Sequence, residues 1–269
     1  MNRQRTIATS GLLALAAALV AGAAIAQQGA GYVSNLSGPL FAVKSDGSRR
    51  VLSTQSVVSS GDMLVTEDKT YARLRFSDQS EVTLRPSTQF QIENYSFDRQ
   101  APDKDGLAFR LFKGALRTVT GLVGRRGNQD AYRLSTATAT IGIRGTIFGV
   151  TVCLPGTCGG LAPGTYVNVI EGSVALAPPP VIPVVPVPGV VAPPTPPAGA
   201  RPAAPLVLAQ GQFGYVPPAG PPVQLPSDPG VGTITPPASF VTRSEAQPPG
   251  TQAPGPSAGP KPSSDCIVR

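Results

Sequence analysis

Proline is segregated along this chain, and that segregation limits where a folded core can sit. Of the 31 prolines, 26 lie after residue 177. Proline has no backbone N–H and cannot donate to a sheet ladder or continue a helix. The dense region therefore cannot bury enough surface to offset its ordering, and the first two-thirds of the 269 residues must supply the fold. One domain is the sensible count.

Within that part, apolar residues recur with period two. Ala72, Leu74 and Phe76 alternate with Arg73, Arg75 and Ser77; Ser77–Ser80 turns the chain, and Val82 and Leu84 alternate back. Similar short runs are Tyr32–Leu36, Leu40–Val43, Met63–Val65, Leu107–Leu111, Leu116–Val119 and Tyr166–Ile170. Gly121–Gln129 and Asp98–Gly106 read as exposed loops. No helical period precedes Ala177 beyond the N-terminal segment, so the domain is predicted to be all-β. Several strands open on Gly with an apolar residue two later: Gly31/Val33, Gly38/Leu40, Gly114/Leu116, Gly172/Val174 and Gly211/Phe213. This loose repeat suits tight corners between short strands, as in a bent β-sandwich or a β-solenoid.

The stretch Ser135–Val152, STATATIGIRGTIFGVTV, holds no Asp, Glu or Lys and one charge, Arg144. It reads as a strand, a bend at the glycines and a second strand. An unpaired charge between two buried strands would be costly. Arg144 is thus expected either to pair internally, with a carboxylate (Asp62 and Glu171 are nominated) or with backbone carbonyls, or to face a ligand.

The first residues form a secretory signal. Arg3 and Arg5 supply the basic region, Gly11–Gly22 the apolar run, and Ala24-Ile25-Ala26 a cleavage site, so the mature chain is expected to start at Gln27. The rival reading is an uncleaved anchor. No later segment is a credible span, because proline breaks every late apolar run. Secretion makes the cysteines readable: Cys153 and Cys158 flank a Leu-Pro-Gly-Thr turn and are predicted to form a local disulfide, leaving Cys266 over.

Removing the signal lowers the net charge from +7 to +5. The excess clusters at Arg110, Lys113, Arg117, Arg125, Arg126, Arg133 and Arg144, against one acid, Asp130. That segment is a candidate basic face for an anionic cell-wall polymer or an acidic protein, or a plain solvated face. Nucleic acid is not an expected partner outside the cell. The chain has no His, which removes Ser-His-Asp and Cys-His catalysis and His-ligated metals. No catalytic residue, metal or cofactor is expected.

Pro178–Pro205 contains twelve prolines in 28 residues and favours extended polyproline II. It is read as a disordered insertion, with Leu206–Val216 as a closing strand region. Residues 217–269 are expected to be a disordered tail.

In four places, in order, the sequence resembles the periplasmic FecR domain family. Gly61-Asp62-Met63-Leu64-Val65-Thr66 resembles a GD-x-L-x-T turn, and Ala72–Leu84 an A-x-L-x-F-x-D-G-S hairpin with Gln79 where Gly is usual. Ala139–Phe148, ATIGIRGTIF, is similar to the A-x-x-x-V-R-G-T-x-F signature that places Gly145 and Thr146. Val169–Val174 and then Leu206–Val216 resemble the closing V-x-E-G-x-V and L-x-x-G-Q motifs. The resemblance implies a secreted all-β interaction domain without catalytic residues. The family's iron-uptake regulators place an anti-sigma segment and a membrane helix before the domain. Here only Met1–Ser10 precede the apolar run, so that mechanism is not expected to carry over whole. The expected role is an envelope protein-interaction, signalling or scaffold module with a protein partner. The alternative is wall- or polysaccharide-binding.

Overall fold

In a computed structural model, the described residues are 29–126, 128, 130–180 and 204–231. They form fifteen strands, no α-helix, and one 3-10 turn at Pro102–Lys104. Eight short strands come first: β1 Gly31–Leu36, β2 Leu40–Val43, β3 Arg49–Leu52, β4 Val57–Val58, β5 Met63–Thr66, β6 Ala72–Phe76, β7 Glu81–Leu84 and β8 Gln89–Ser96. Three long strands and a short one follow: β9 Gly106–Val119, β10 Tyr132–Ser135, β11 Thr140–Cys153 and β12 Gly164–Ala177. Last come β13 Leu206–Ala209, β14 Phe213–Val216 and β15 Val223–Leu225.

The pairings make one sheet folded over on itself into two layers. In the first layer β4, β1, β6 and β7 lead to the C-terminal half of β9, then the C-terminal half of β11, the N-terminal half of β12, β14 and β15. In the second, β3, β2, β5 and β8 lead to the N-terminal half of β9, then β10, the N-terminal half of β11, the C-terminal half of β12, and β13. The three long strands thus belong to both layers. All pairs are antiparallel except β9 with β10.

The chain changes layer at backbone corners. Gly114, Gly145 and Gly172 bend the long strands with φ of +88°, +60° and +82°, and Gly61, Lys69, Ser87 and Gly211 sit in the same left-handed region between short strands. The glycine repeat in the sequence therefore marks corners of a bent sandwich at Gly114, Gly172 and Gly211. The stretch Ser135–Val152 differs in detail from expectation: Ser135 ends β10, a turn follows, and the rest lies in β11. From Thr140 on it is one continuous strand with a bulge, where a bend between two strands was expected: Arg144 faces Ser173 and Ile147 faces Glu171, so Gly145 and Thr146 oppose Gly172 alone.

The inner faces close on a core of aromatic and branched side chains. Phe109 is 1% exposed and sits at its centre. Its ring lies 5.0 Å from Phe76 of the other layer, 4.9 Å from Phe90, and edge-on to Tyr132 at 5.8 Å. Each such side chain contributes about 1.5–3 kcal/mol by leaving water, and the tilted ring pairs add to that. The Tyr132 hydroxyl meets the Thr118 hydroxyl at 3.0 Å, which satisfies it across the layers.

Two expectations about loops are corrected. The segment after Gly121 is not wholly exposed: Val123 is buried, and the Leu122 and Val123 amides both donate to Asp78. The expected tail is structured through Val231: β15 pairs with β14, and Val231 packs with Cys153 and Tyr166. The signal segment, the bulk of the Pro-rich insertion, residues 232–269 and Cys266 lie outside the described residues. The insertion leaves and rejoins the sheet at neighbouring positions, since Leu176 at the end of β12 pairs with Leu206 at the start of β13.

Candidate functional site

The sequence motifs converge on corners, and each corner is held by its own chemistry. At the β4–β5 corner the Asp62 side chain is fully buried. One carboxylate oxygen accepts from the Ser59 amide at 3.0 Å and from the Arg50 guanidinium at 2.7 Å; the other lies 3.5 Å from the Lys44 ammonium. Arg50 also donates to the Val57 carbonyl. Asp62 therefore ties the β2–β3 hairpin to the corner. It does not meet Arg144.

Arg144 is exposed on the outside of the second layer and makes no ion pair among the described residues. Glu171 is exposed too. The expected internal pairing is thus corrected, and the reason is strand alternation. Ile141 and Ile143 point into the core, so Arg144 points out. What the signature residues build is steric. A Cβ on Gly172 would stand 2.6 Å from the Thr146 methyl and 2.9 Å from the Gly145 carbonyl oxygen. The empty space at Gly172 is filled by Thr146, which is 1% exposed. Thr146 is fixed in turn by Thr120, whose hydroxyl accepts from the Thr146 amide at 2.7 Å and whose amide donates to the Thr146 carbonyl.

Two carboxylates that the sequence did not single out do similar work. Asp78, read from sequence as a turn residue, is fully buried. Its carboxylate accepts from the Ser80 amide and hydroxyl at 3.1 and 2.6 Å, from the Tyr95 hydroxyl at 3.2 Å and from the Val123 amide. Burial, and next the Asp78 charge, raise the Tyr95 phenol above its ordinary range. A signal was present: Asp78 falls in the hairpin motif that carries the family resemblance. Asp105 has a fully buried side chain, accepts from Arg126 at 3.1 Å and from the Asp98 amide at 3.0 Å, and closes the loop before β9.

The basic segment does not form one face. β9 changes layer at Gly114, so residues before and after it look outward from opposite sides. Arg110, Arg133 and Arg144 share the outer face of the second layer, where Arg110 pairs with Glu93. Arg117 is half-buried on the outside of the first layer, opposite Thr83 and Gly149. Lys113 lies at the corner. Arg126 is committed to Asp105 and to the carbonyls of Asp98 and Arg99, with its guanidinium 4.9 Å from the Phe97 ring. Arg125 is exposed, its stem beside Gly145.

Cys153 and Cys158 are joined by a disulfide, with Cα atoms 5.5 Å apart. The Thr157 hydroxyl accepts from the Leu154 amide and donates to the Leu154 carbonyl, both at 2.9 Å, so the loop is braced twice. Among the described residues, no group of three or more His, Cys, Asp or Glu is placed to hold a metal ion. No described helix is long and apolar enough to cross a membrane.

No curated protein matches the chain. Residues 62–175 match the family model described as FecR protein. The match begins at the buried Asp62, takes in the Asp78 hairpin and the disulfide loop, and ends two residues past Ser173, the partner of Arg144. Residues 62–175 are therefore a FecR domain, and Asp62, Asp78, Asp105 and the Gly145–Gly172 corner lie within it.

Proposed function

We propose that this is a secreted, non-enzymatic protein of the cell envelope, in which the FecR domain serves as a protein-interaction or signalling module. The signal segment at residues 1–26 supports the compartment. The buried carboxylates support a non-catalytic role, since Asp62, Asp78 and Asp105 are all spent on holding loops.

One observation carries the interaction reading. The folded sheet ends in four edge strands, β3, β4, β13 and β15, each paired on one side only among the described residues. Each carries an exposed valine: Val51 at 73%, Val57 at 52%, Val207 at 61% and Val223 at 47%. Open edges with apolar side chains are templates for another strand. A protein that adds a strand to such an edge gains backbone hydrogen bonds and side-chain burial together.

In-cell crosslinking of the tagged mature protein, followed by mass spectrometry, tests this. One dominant protein partner is expected, and it should be lost when Val51→Lys and Val207→Lys block the edges of the second layer. Recovery of a partner untouched by edge variants would overturn the strand-addition reading.

The second reading, binding of an anionic wall polymer, draws on Arg133 and Arg144, which are exposed on one outer face and make no ion pair among the described residues. It predicts retention on isolated walls that falls steeply with salt and is lost in the Arg133→Gln/Arg144→Gln double variant.

A further inference from the structure

A groove of about 450 Å3 runs along the outside of the first layer, at the corner where β7, β9 and β11 meet the disulfide loop. Its volume lies within the range of small-ligand pockets, about 300–1,000 Å3. None of its lining residues belongs to an edge strand or to the outer face that carries Arg133.

Its charge is one-sided. Arg85, at the end of β7, and Lys113, at the Gly114 corner, both line it, and neither makes an ion pair among the described residues. None of the described lining residues is acidic. Asp228, two residues before the lining residue Gly230, accepts from the Gly230 amide. Two cations that share a partly enclosed groove repel each other and are only partly hydrated, so an anion placed between them is favoured on both counts.

The rest of the groove is aliphatic and hydroxylic. Ala115, Leu161 and Val231 contribute aliphatic side chains to its lining, and Ser87 and Thr151 contribute hydroxyl-bearing ones. Its walls are set before any ligand arrives. On one side stands the disulfide loop, braced by Thr157. Beside it lies Val231, held at 8% exposure against the disulfide cysteine Cys153 and against Tyr166. A preformed groove gives up little ordering entropy on binding.

We infer that this groove binds a peptide C-terminus: a chain-terminal carboxylate between Arg85 and Lys113, followed by small aliphatic residues along Ala115, Leu161 and Val231. The carboxylate supplies the missing anion, and the hydroxyls meet the peptide's amide groups. End-carboxylate capture is a recurrent mode of peptide recognition. The site does not depend on strand addition at the sheet edges, so either can fail without the other.

The test is calorimetric titration of the full mature chain at low salt with N-acetyl-Ala-Val-Ala, as the free acid and as the C-terminal amide. The acid is expected to bind at least about tenfold tighter, the scale of one charge-assisted hydrogen bond. Arg85→Gln and Lys113→Gln should each weaken the acid about tenfold, leave the amide unchanged and leave the melting temperature in place. Arg133→Gln should bind as wild type. Equal affinity for acid and amide would overturn the proposal, as would wild-type binding by both groove variants. Tighter binding of hexagalacturonate, lost in the same two variants, would overturn the peptide assignment and name an acidic sugar as the ligand. Hexanoate binding as tightly as the peptide would overturn it in favour of a simple aliphatic acid.

Discussion

Two corners of the folded sheet solve the same problem by opposite means. At Asp62 the chain is pinned by charge: one buried carboxylate gathers an amide, a guanidinium and an ammonium from separate segments. At Gly145 and Gly172 it is pinned by shape: a missing side chain on one strand leaves room for the threonine on the next. The charged corner fails when a group is removed. The steric corner fails when a group is added. In neither does Arg144, the residue that stands out in the motif, carry the load.

The largest loss is expected from one added methyl group at the steric corner. Gly172→Ala must hold a left-handed backbone and push against the Gly145 carbonyl, so it should cost about 4 kcal/mol, strain and overpacking together. Chemical denaturation would measure it, and a loss below 1 kcal/mol would show that the corner yields. Asp62→Ala should follow at about 3 kcal/mol, because its partners lose their common anion. Arg50 and Lys44 are each 41% exposed and regain some water, which keeps the cost below that of a fully enclosed pair. High salt should shrink the gap between wild type and Asp62→Ala and leave the Gly172→Ala deficit unchanged.

The next test uses pH. The Tyr95 phenol is raised first by burial and second by the Asp78 charge, and the Tyr132 phenol is raised mainly by burial. A group whose folded pKa is raised stabilises fully below its unfolded pKa and loses that contribution as pH rises through the folded value. The denaturation midpoint should therefore start to fall once pH passes about 10, the ordinary tyrosine value. Tyr95→Phe should make that fall shallower. If the alkaline slope were the same in both proteins, the Tyr95 phenol would not be held raised in the fold by burial and the Asp78 charge.

The smallest effects complete the contrast. Gln79 holds φ of +70° in the β6–β7 turn, where a side chain is strained, so Gln79→Gly should raise stability by up to about 1 kcal/mol. Arg144→Ala should change it by less than about 0.5 kcal/mol, as expected for an exposed residue with no ion pair among the described residues. A loss of several kcal/mol there would mean that Arg144 has a partner after all.

The fold class was readable because alternation with period two reports directly on which residues leave water. Ala72 to Leu84 shows this: inner residues, turn and return strand are all where the pattern puts them. The disulfide was readable because a five-residue spacing across a turn leaves little choice. The site residues were harder. The charge of Arg144 drew attention to a residue that alternation already placed outside. Asp78 looked like a surface turn because its donors, Tyr95 and Val123, are distant in sequence. The basic cluster was contiguous along the chain but is divided in space, since one glycine corner sends the two halves of β9 into different layers. Sequence adjacency predicts a shared face only while a strand stays in one sheet.

The pairing of Leu176 with Leu206 bears on how such a protein can vary. A segment whose two ends are already neighbours closes a loop, and the entropy of closure grows only with the logarithm of loop length. Doubling the stretch between those residues would cost about 0.6 kcal/mol, less than the Asp62 corner is expected to lose to a single alanine. Residues 178–205 are thus a place where length can change without disturbing the frame. A reporter, a spacer or a whole second domain could be spliced there while β12 and β13 stay side by side.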